Sequence, residues 1–111
     1  MAVELSNDDW TVSTTVANGE TWSGGDMRLA PDGRVGIVRG GPDLSAGAPV
    51  ALKMNGYCRA TSPVAFAAGA TVAVVVATQT ICATGTASSV NMGKALKACS
   101  AGKELLWDLN G

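Results

Sequence analysis

The sequence predicts an all-β chain, a small antiparallel β-barrel or sandwich with an extended amino-terminal arm and room for one short helix. Three observations predict it. The 111 residues are 47% hydrophobic, yet that share is mostly Ala and Val, with one Phe, one Tyr and 14 Gly. Small and β-branched side chains suit strands and turns better than helices. Turn signals recur roughly every eight to twelve residues, the spacing of short antiparallel strands. A short unit also occurs twice: SAGAPVALKMNGYCRAT over 45–61 and AAGATVAVVVATQTICAT over 67–84, with a looser echo, SAGKELLWDLNG, from Ser100. Each copy runs from a small-residue turn into an apolar strand and closes on an apolar-Cys pair, Tyr57-Cys58 and Ile81-Cys82. Two such units are too few for a solenoid.

Residues 1–9 are polar and read as an arm. Residues 10–16, Trp-Thr-Val-Ser-Thr-Thr-Val, form a first strand ended by Asn18-Gly19. A second begins at Thr21-Trp22 and is broken at 23–25. Residues 27–30 and 34–38 flank Pro31-Asp32-Gly33, where Pro fixes φ and Gly supplies a positive φ, the best hairpin signal of the chain. Asn55-Gly56 between 50–54 and 57–61 predicts a second hairpin with a type I′ turn. Residues 72–77 and 79–83 predict a third. Over 88–99 two readings stay open. Val90, Ala95, Leu96 and Cys99 share one helical face, while Met92, Lys94, Leu96 and Ala98 alternate as in a strand. The turn at 100–103 and the strand at 104–109 favour the strand.

The formal net charge is −1, which gives no basic footprint for nucleic acid. Its distribution is uneven. Glu4, Asp8, Asp9, Glu20 and Asp26 precede any Lys or Arg, whereas Lys53, Arg59, Lys94, Lys97 and Lys103 face only Glu104 and Asp108. An acidic arm on residues 1–23 and a mildly basic body on 24–111 favour head-to-tail contact between copies, or else the arm is a solvated face. Between Arg59 and Lys94 there is no charge at all. Surface strands usually carry charges that block edge pairing, so this segment is expected to be covered by the rest of the fold or by a partner. Its most apolar part, within 65–83, carries Thr, Gln and Gly and lacks basic flanks, which argues against a membrane span. The amino terminus has no secretory pattern, and three cysteines without CxxC spacing make neither a disulfide framework nor a zinc site. Cys58 and Cys82 are expected to be buried, unbridged core residues in a reduced cytoplasm.

The residues do not assemble a reaction centre. There is no His, the commonest general base and metal ligand. No Ser-x-x-Lys occurs, Asp8 and Asp9 diverge as sequence neighbours, and Gly24-Gly25 and Gly40-Gly41 lack the sequel of a phosphate loop. No enzyme activity, cofactor or small-molecule substrate is expected. Trp10, Trp22 and Trp107 are the large side chains of an aromatic-poor chain. They serve as core anchors, or Trp10 and Trp22 dock into a neighbouring subunit.

Four features together resemble the small bacteriophage capsid decoration, or cement, proteins. They are the Ala-Gly-Ala-x-Val openings at 46–50 and 68–72, the hairpin strand at 34–39, the stretch Met92-Gly-Lys-Ala-Leu-Lys-Ala98, and the closing Ser100-Ala-Gly-Lys with Leu-Trp-Asp-Leu109. The resemblance spans about 24–109, so the Trp-bearing arm departs from it. It implies a structural virion protein, made in the host cytoplasm, that binds the outer surface of a phage shell and stiffens it, often as a homotrimer. The partners implied are the major capsid protein and the chain itself, with no nucleic acid or membrane. The interface residues expected are Trp10, Trp22, Val72, Val74 and Val76. The alternatives are a β-barrel binding module for carbohydrate or peptide, and a carrier-type barrel, which the absence of a Met-Lys-Met hairpin tip disfavours.

Overall fold

A computed structural model describes residues 10–39 and 43–111. The repeated small-residue openings fold as the same tight reversal. Ala48 N–H donates to Ser45 O at 3.0 Å, Ala70 N–H to Ala67 O at 3.1 Å, and Lys103 N–H to Ser100 O at 3.1 Å. The third residue of each is Gly47, Gly69 or Gly102, with φ of 83°, 80° and 80°. That left-handed backbone carries no penalty only where there is no Cβ, which is why the small-Gly-small motif marks these corners.

Between such corners the chain is all-β. Strands β1 (Thr11–Thr15), β6 (Pro49–Lys53), β4 (Val35–Val38) and β3 (Met27–Leu29) form a four-stranded sheet in that order. A five-stranded sheet runs β7 (Gly56–Ser62), β11 (Lys103–Leu109), β10 (Val90–Ala95), β8 (Thr71–Val75) and β9 (Thr80–Ala83). A ribbon joins β2 (Thr21–Trp22) to β5 (Leu44–Ser45). All pairings are antiparallel. A 3-10 turn, Val76–Thr78, is the one helical piece among the described residues.

Alternation decides which face is inside. On β11, Leu105, Trp107 and Leu109 are buried while Glu104, Leu106 and Asp108 point away. With Val72, Val74, Ile81, Met92 and Phe66 they form the core between the two sheets, joined by Val35 of the four-stranded sheet. A second cluster covers that sheet's other face: Val16, Trp22, Ala30, Val38, Val50, Leu52 and Met54. The expected arm is therefore folded over residues 10–23, where β1 pairs with β6 and Val16 and Trp22 are buried. Residues 1–9 lie outside the described part.

The hairpin around Pro31-Asp32-Gly33 forms as expected, with Met27 opposite Ile37 and Leu29 opposite Val35. So does the third, with Val72 opposite Ala83 and Val75 opposite Thr80. The Asn55-Gly56 hairpin does not. β6 already has β1 and β4 on its two sides, so the strand that follows has no free edge there. Gly56, at φ 112°, bends the chain into the second sheet instead. The duplication likewise ends beyond the turns. β6 and β8 enter different sheets, Tyr57 is 81% exposed where Ile81 is 4% exposed, and Cys58 is half-buried where Cys82 is buried.

The ambiguous segment is a strand through Ala95, and a β-bulge explains its mixed pattern. Between Asn91 and Gly93 the pairing with β8 slips, which puts Met92 and Ala95 on the same inner side three positions apart. An inserted residue gives a strand the spacing of a helix. Gly93, at φ 133°, is required there because a Cβ would overlap the Asp108 carbonyl of β11.

Two side-chain amides close the seam between the sheets. Gln79 accepts the Met27 N–H at 2.7 Å and donates to the Met27 carbonyl at 2.6 Å, so it stands in for a strand beside β3. Asn110 donates to the Val35 carbonyl and the Met54 carbonyl, both at 2.8 Å. Replacing Gln79 by Ala leaves the Met27 N–H and C=O without partners and is expected to destabilise the fold by about 1–3 kcal/mol. Urea unfolding should show a lower midpoint with an unchanged slope. Stability equal to wild type would mean the seam holds without the bridge.

Candidate docking surface

The four-stranded sheet carries an apolar cluster on each face, with β1 exposed along one of them, whereas the five-stranded sheet keeps one face outward. That face carries Tyr57, Arg59 and Thr61 from β7, Glu104, Leu106 and Asp108 from β11, and Lys94 from β10. Tyr57 is 81% exposed and Leu96, just past β10, is 45% exposed. Together with Leu106 and Arg59 they line a cleft of about 280 Å³. An aromatic and two leucines ringed by charges of both signs have the make-up of a protein interface, apolar at the centre and polar at the rim.

A second groove, of about 330 Å³, opens under the β7 edge between the two sheets. Met27, Ile37, Cys58, Ala60 and Trp107 line it, with Lys53 and Arg59 among its other neighbours. Trp107 is buried, and its indole N–H finds no acceptor among the described residues. Burial pushes the Cys58 thiol above its ordinary pKa, Lys53 pulls it down, and Asp108 raises it further, with burial prevailing. No disulfide ties Cys58, Cys82 or Cys99. Among the described residues no group of His, Cys, Asp and Glu is placed to hold a metal ion, and no helix is long and apolar enough to cross a membrane.

The residues expected at an interface are scattered by the fold. Val72 and Val74 are fully buried in the inter-sheet core, and Val76 packs against it. Trp22 is 4% exposed, donates its indole N–H to Glu20 at 3.0 Å, and lies under the Arg28 guanidinium at 5.5 Å. Arg28 also pairs with Glu20 at 3.3 Å and Asp26 at 3.1 Å, so two of the acidic amino-terminal carboxylates are answered within the chain. Trp10 is the most exposed of the five, at 37%, with Arg34 stacked 5.2 Å from its ring. Within the uncharged stretch β8 is covered by its own fold, because it lies between β9 and β10, while the turns on either side of it are exposed. The exposed apolar patch lies outside it, on Tyr57, Leu96 and Leu106.

Two outcomes follow from these positions. Trp22→Ala should cost about 3–5 kcal/mol of stability through the cavity it leaves, whereas Trp10→Ala should lower it by less than about 1 kcal/mol. Thermal unfolding of the two variants reads the difference directly. Thiol labelling of the native protein should modify Cys58 first, at a rate still climbing with pH above the usual thiol range, while Cys82 and Cys99 stay protected. Equal rates at all three would contradict the burial described.

A family model described as phage cement protein matches residues 5–108. No curated protein and no solved structure matches the chain. The match takes in the Trp-bearing segment as well as both sheets, and on that extent the chain belongs to the phage cement proteins.

Proposed function

We propose that this protein is a non-enzymatic structural component of the virion that binds the outer surface of a phage shell and stabilises it. It does so as a self-associating unit, a homotrimer, with the major capsid protein as its partner. The observation that carries the reading, beside the family match, is the outward face of the five-stranded sheet with Tyr57, Leu96 and Leu106 at its centre. A ligand that binds only the assembled shell stabilises it by an amount that grows with occupancy. Several weak contacts become strong when one oligomer engages several sites together. Such a task needs a contact face, and no reacting group.

Purified protein mixed with undecorated, expanded shells should co-sediment with them, saturate at a fixed number per capsomer, and raise the temperature at which they break. Tyr57→Ser and Leu96→Ser should each weaken attachment by about 2 kcal/mol while thermal stability stays near wild type. Failure of folded protein to co-sediment at physiological salt would remove the reading and favour a binding module for carbohydrate or peptide.

A further inference from the structure

Strand β7 is a seven-residue edge with a single charge as its edge protection. In the five-stranded sheet it pairs with β11 alone among the described residues. Its outer side is chemically open. Leu106, opposite Arg59, gives its carbonyl to Leu96 N–H on the β10 side. In an antiparallel pair the Arg59 N–H and C=O must then point away from β11, and by alternation so do those of Tyr57 and Thr61. The strand holds no Pro and one charge, Arg59, where edges normally carry Lys, Pro or a bulge. Apolar clefts also flank it on both faces, the Tyr57–Leu96–Leu106 cleft above and the Cys58–Trp107 groove below. An added strand would send alternate side chains into each.

We propose that β7 accepts residues 1–9 of a second copy of this chain as an antiparallel strand. Extended, nine residues reach about 30 Å, enough to follow a strand of seven. The segment Met-Ala-Val-Glu-Leu-Ser-Asn-Asp-Asp carries Glu4, Asp8 and Asp9 and no Lys or Arg, while Arg59 borders both clefts. Val3 and Leu5 alternate with Glu4, which puts two apolar side chains toward the lower groove and the carboxylate toward Arg59. The β1 ladder ends short of the chain's own β7. Trp10 O accepts from Met54 N–H at 2.7 Å, but the Trp10 N–H goes to the Asn55 side-chain oxygen at 3.0 Å, with no backbone partner on β7. Trp10 therefore sits beside Asn55-Gly56, at the start of β7, and two copies meeting at that corner can exchange the residues that precede it.

This inference rests on the self-association proposed above and not on attachment to shells, so it is tested without shells. Full-length protein carrying Val3→Cys, Glu4→Cys or Leu5→Cys is oxidised with ferricyanide at mildly alkaline pH, which the raised Cys58 pKa requires. The expected result is a disulfide-linked pair of chains for whichever of Val3→Cys and Leu5→Cys stands opposite Cys58, and none for Glu4→Cys. The link should vanish when Cys58→Ala is added. It should also vanish with Arg59→Pro, which removes an outward N–H and leaves the β11 ladder intact, in protein that still shows a native near-ultraviolet spectrum. Equal linking at all three positions, no linking, or a link that survives Cys58→Ala overturns the proposal. A link inside one chain overturns it too, because it places the segment on its own β7. Shell binding without links would sink this inference alone, and links without shell binding would sink the shell reading alone.

Discussion

Backbone groups at the seam between two stacked sheets have no ladder partner, and each one buried unpaired costs about 1–3 kcal/mol. The whole fold depends on answering that demand with side chains. Gln79 does so beside β3, and Asn110 does so for β4 and the end of β6. Both have left-handed backbones, at φ 55° and 56°. Amide side chains are suited to such positions because each carries a donor and an acceptor, and Asn is among the residues that tolerate that backbone best. With these two bridges in place the sheets can lie close enough to share a core of small side chains, in which no single contact is large.

That core consumes nearly every aliphatic strand residue. The four-stranded sheet has apolar clusters on both sides and leaves mainly Thr11, Ser13 and Thr15 of β1 and Leu29 of β3 exposed. The five-stranded sheet is asymmetric. Its inner row holds Leu105, Trp107 and Leu109, and its outer row mixes Tyr57 and Leu106 with Arg59, Glu104 and Asp108. A cement protein needs one face that is stable in water before assembly and still favourable to cover afterwards. A mixed row of this kind meets both conditions, since isolated apolar side chains among charges do not drive indiscriminate association.

Much of the architecture was legible because turn chemistry is local. The small-Gly-small corners and Pro31-Asp32-Gly33 lie where the sequence puts them, since a positive φ at Gly is decided by the residue itself. Pairing was legible only where strands join through a short turn. Asn55-Gly56 carries a hairpin signature, yet both sides of β6 are taken by β1 and β4, strands that no local signal could place. The bulge at Asn91–Gly93 gave one strand two periodicities at once. The surface was least legible. An uncharged run reads the same whether its own fold or a neighbour covers it, and here Val72 and Val74 are buried inside while Tyr57 and Leu96 are exposed. Exposure of Tyr57 follows from its parity on β7, which requires knowing that β7 pairs with β11 and not with β6.

The connection between β9 and β10 is two consecutive turns, Ala83 to Thr86 and Thr86 to Ser89. Its hydrogen bonds are almost wholly internal: Thr86 Oγ to Ala83 O at 2.7 Å and Ser89 Oγ to Thr86 O at 2.6 Å. Residues 83–88 are all exposed and uncharged. Such a loop is tied to the strands only at its ends, through Ala83 O of β9 and the Thr84 Oγ1 bond to Asn91 Oδ1 of β10 at 2.9 Å, so a longer middle adds only a slowly growing closure entropy. On a particle carrying many copies, it is where a foreign peptide could be grafted so that every copy displays it at a regular spacing, with the strands beneath it left as they are.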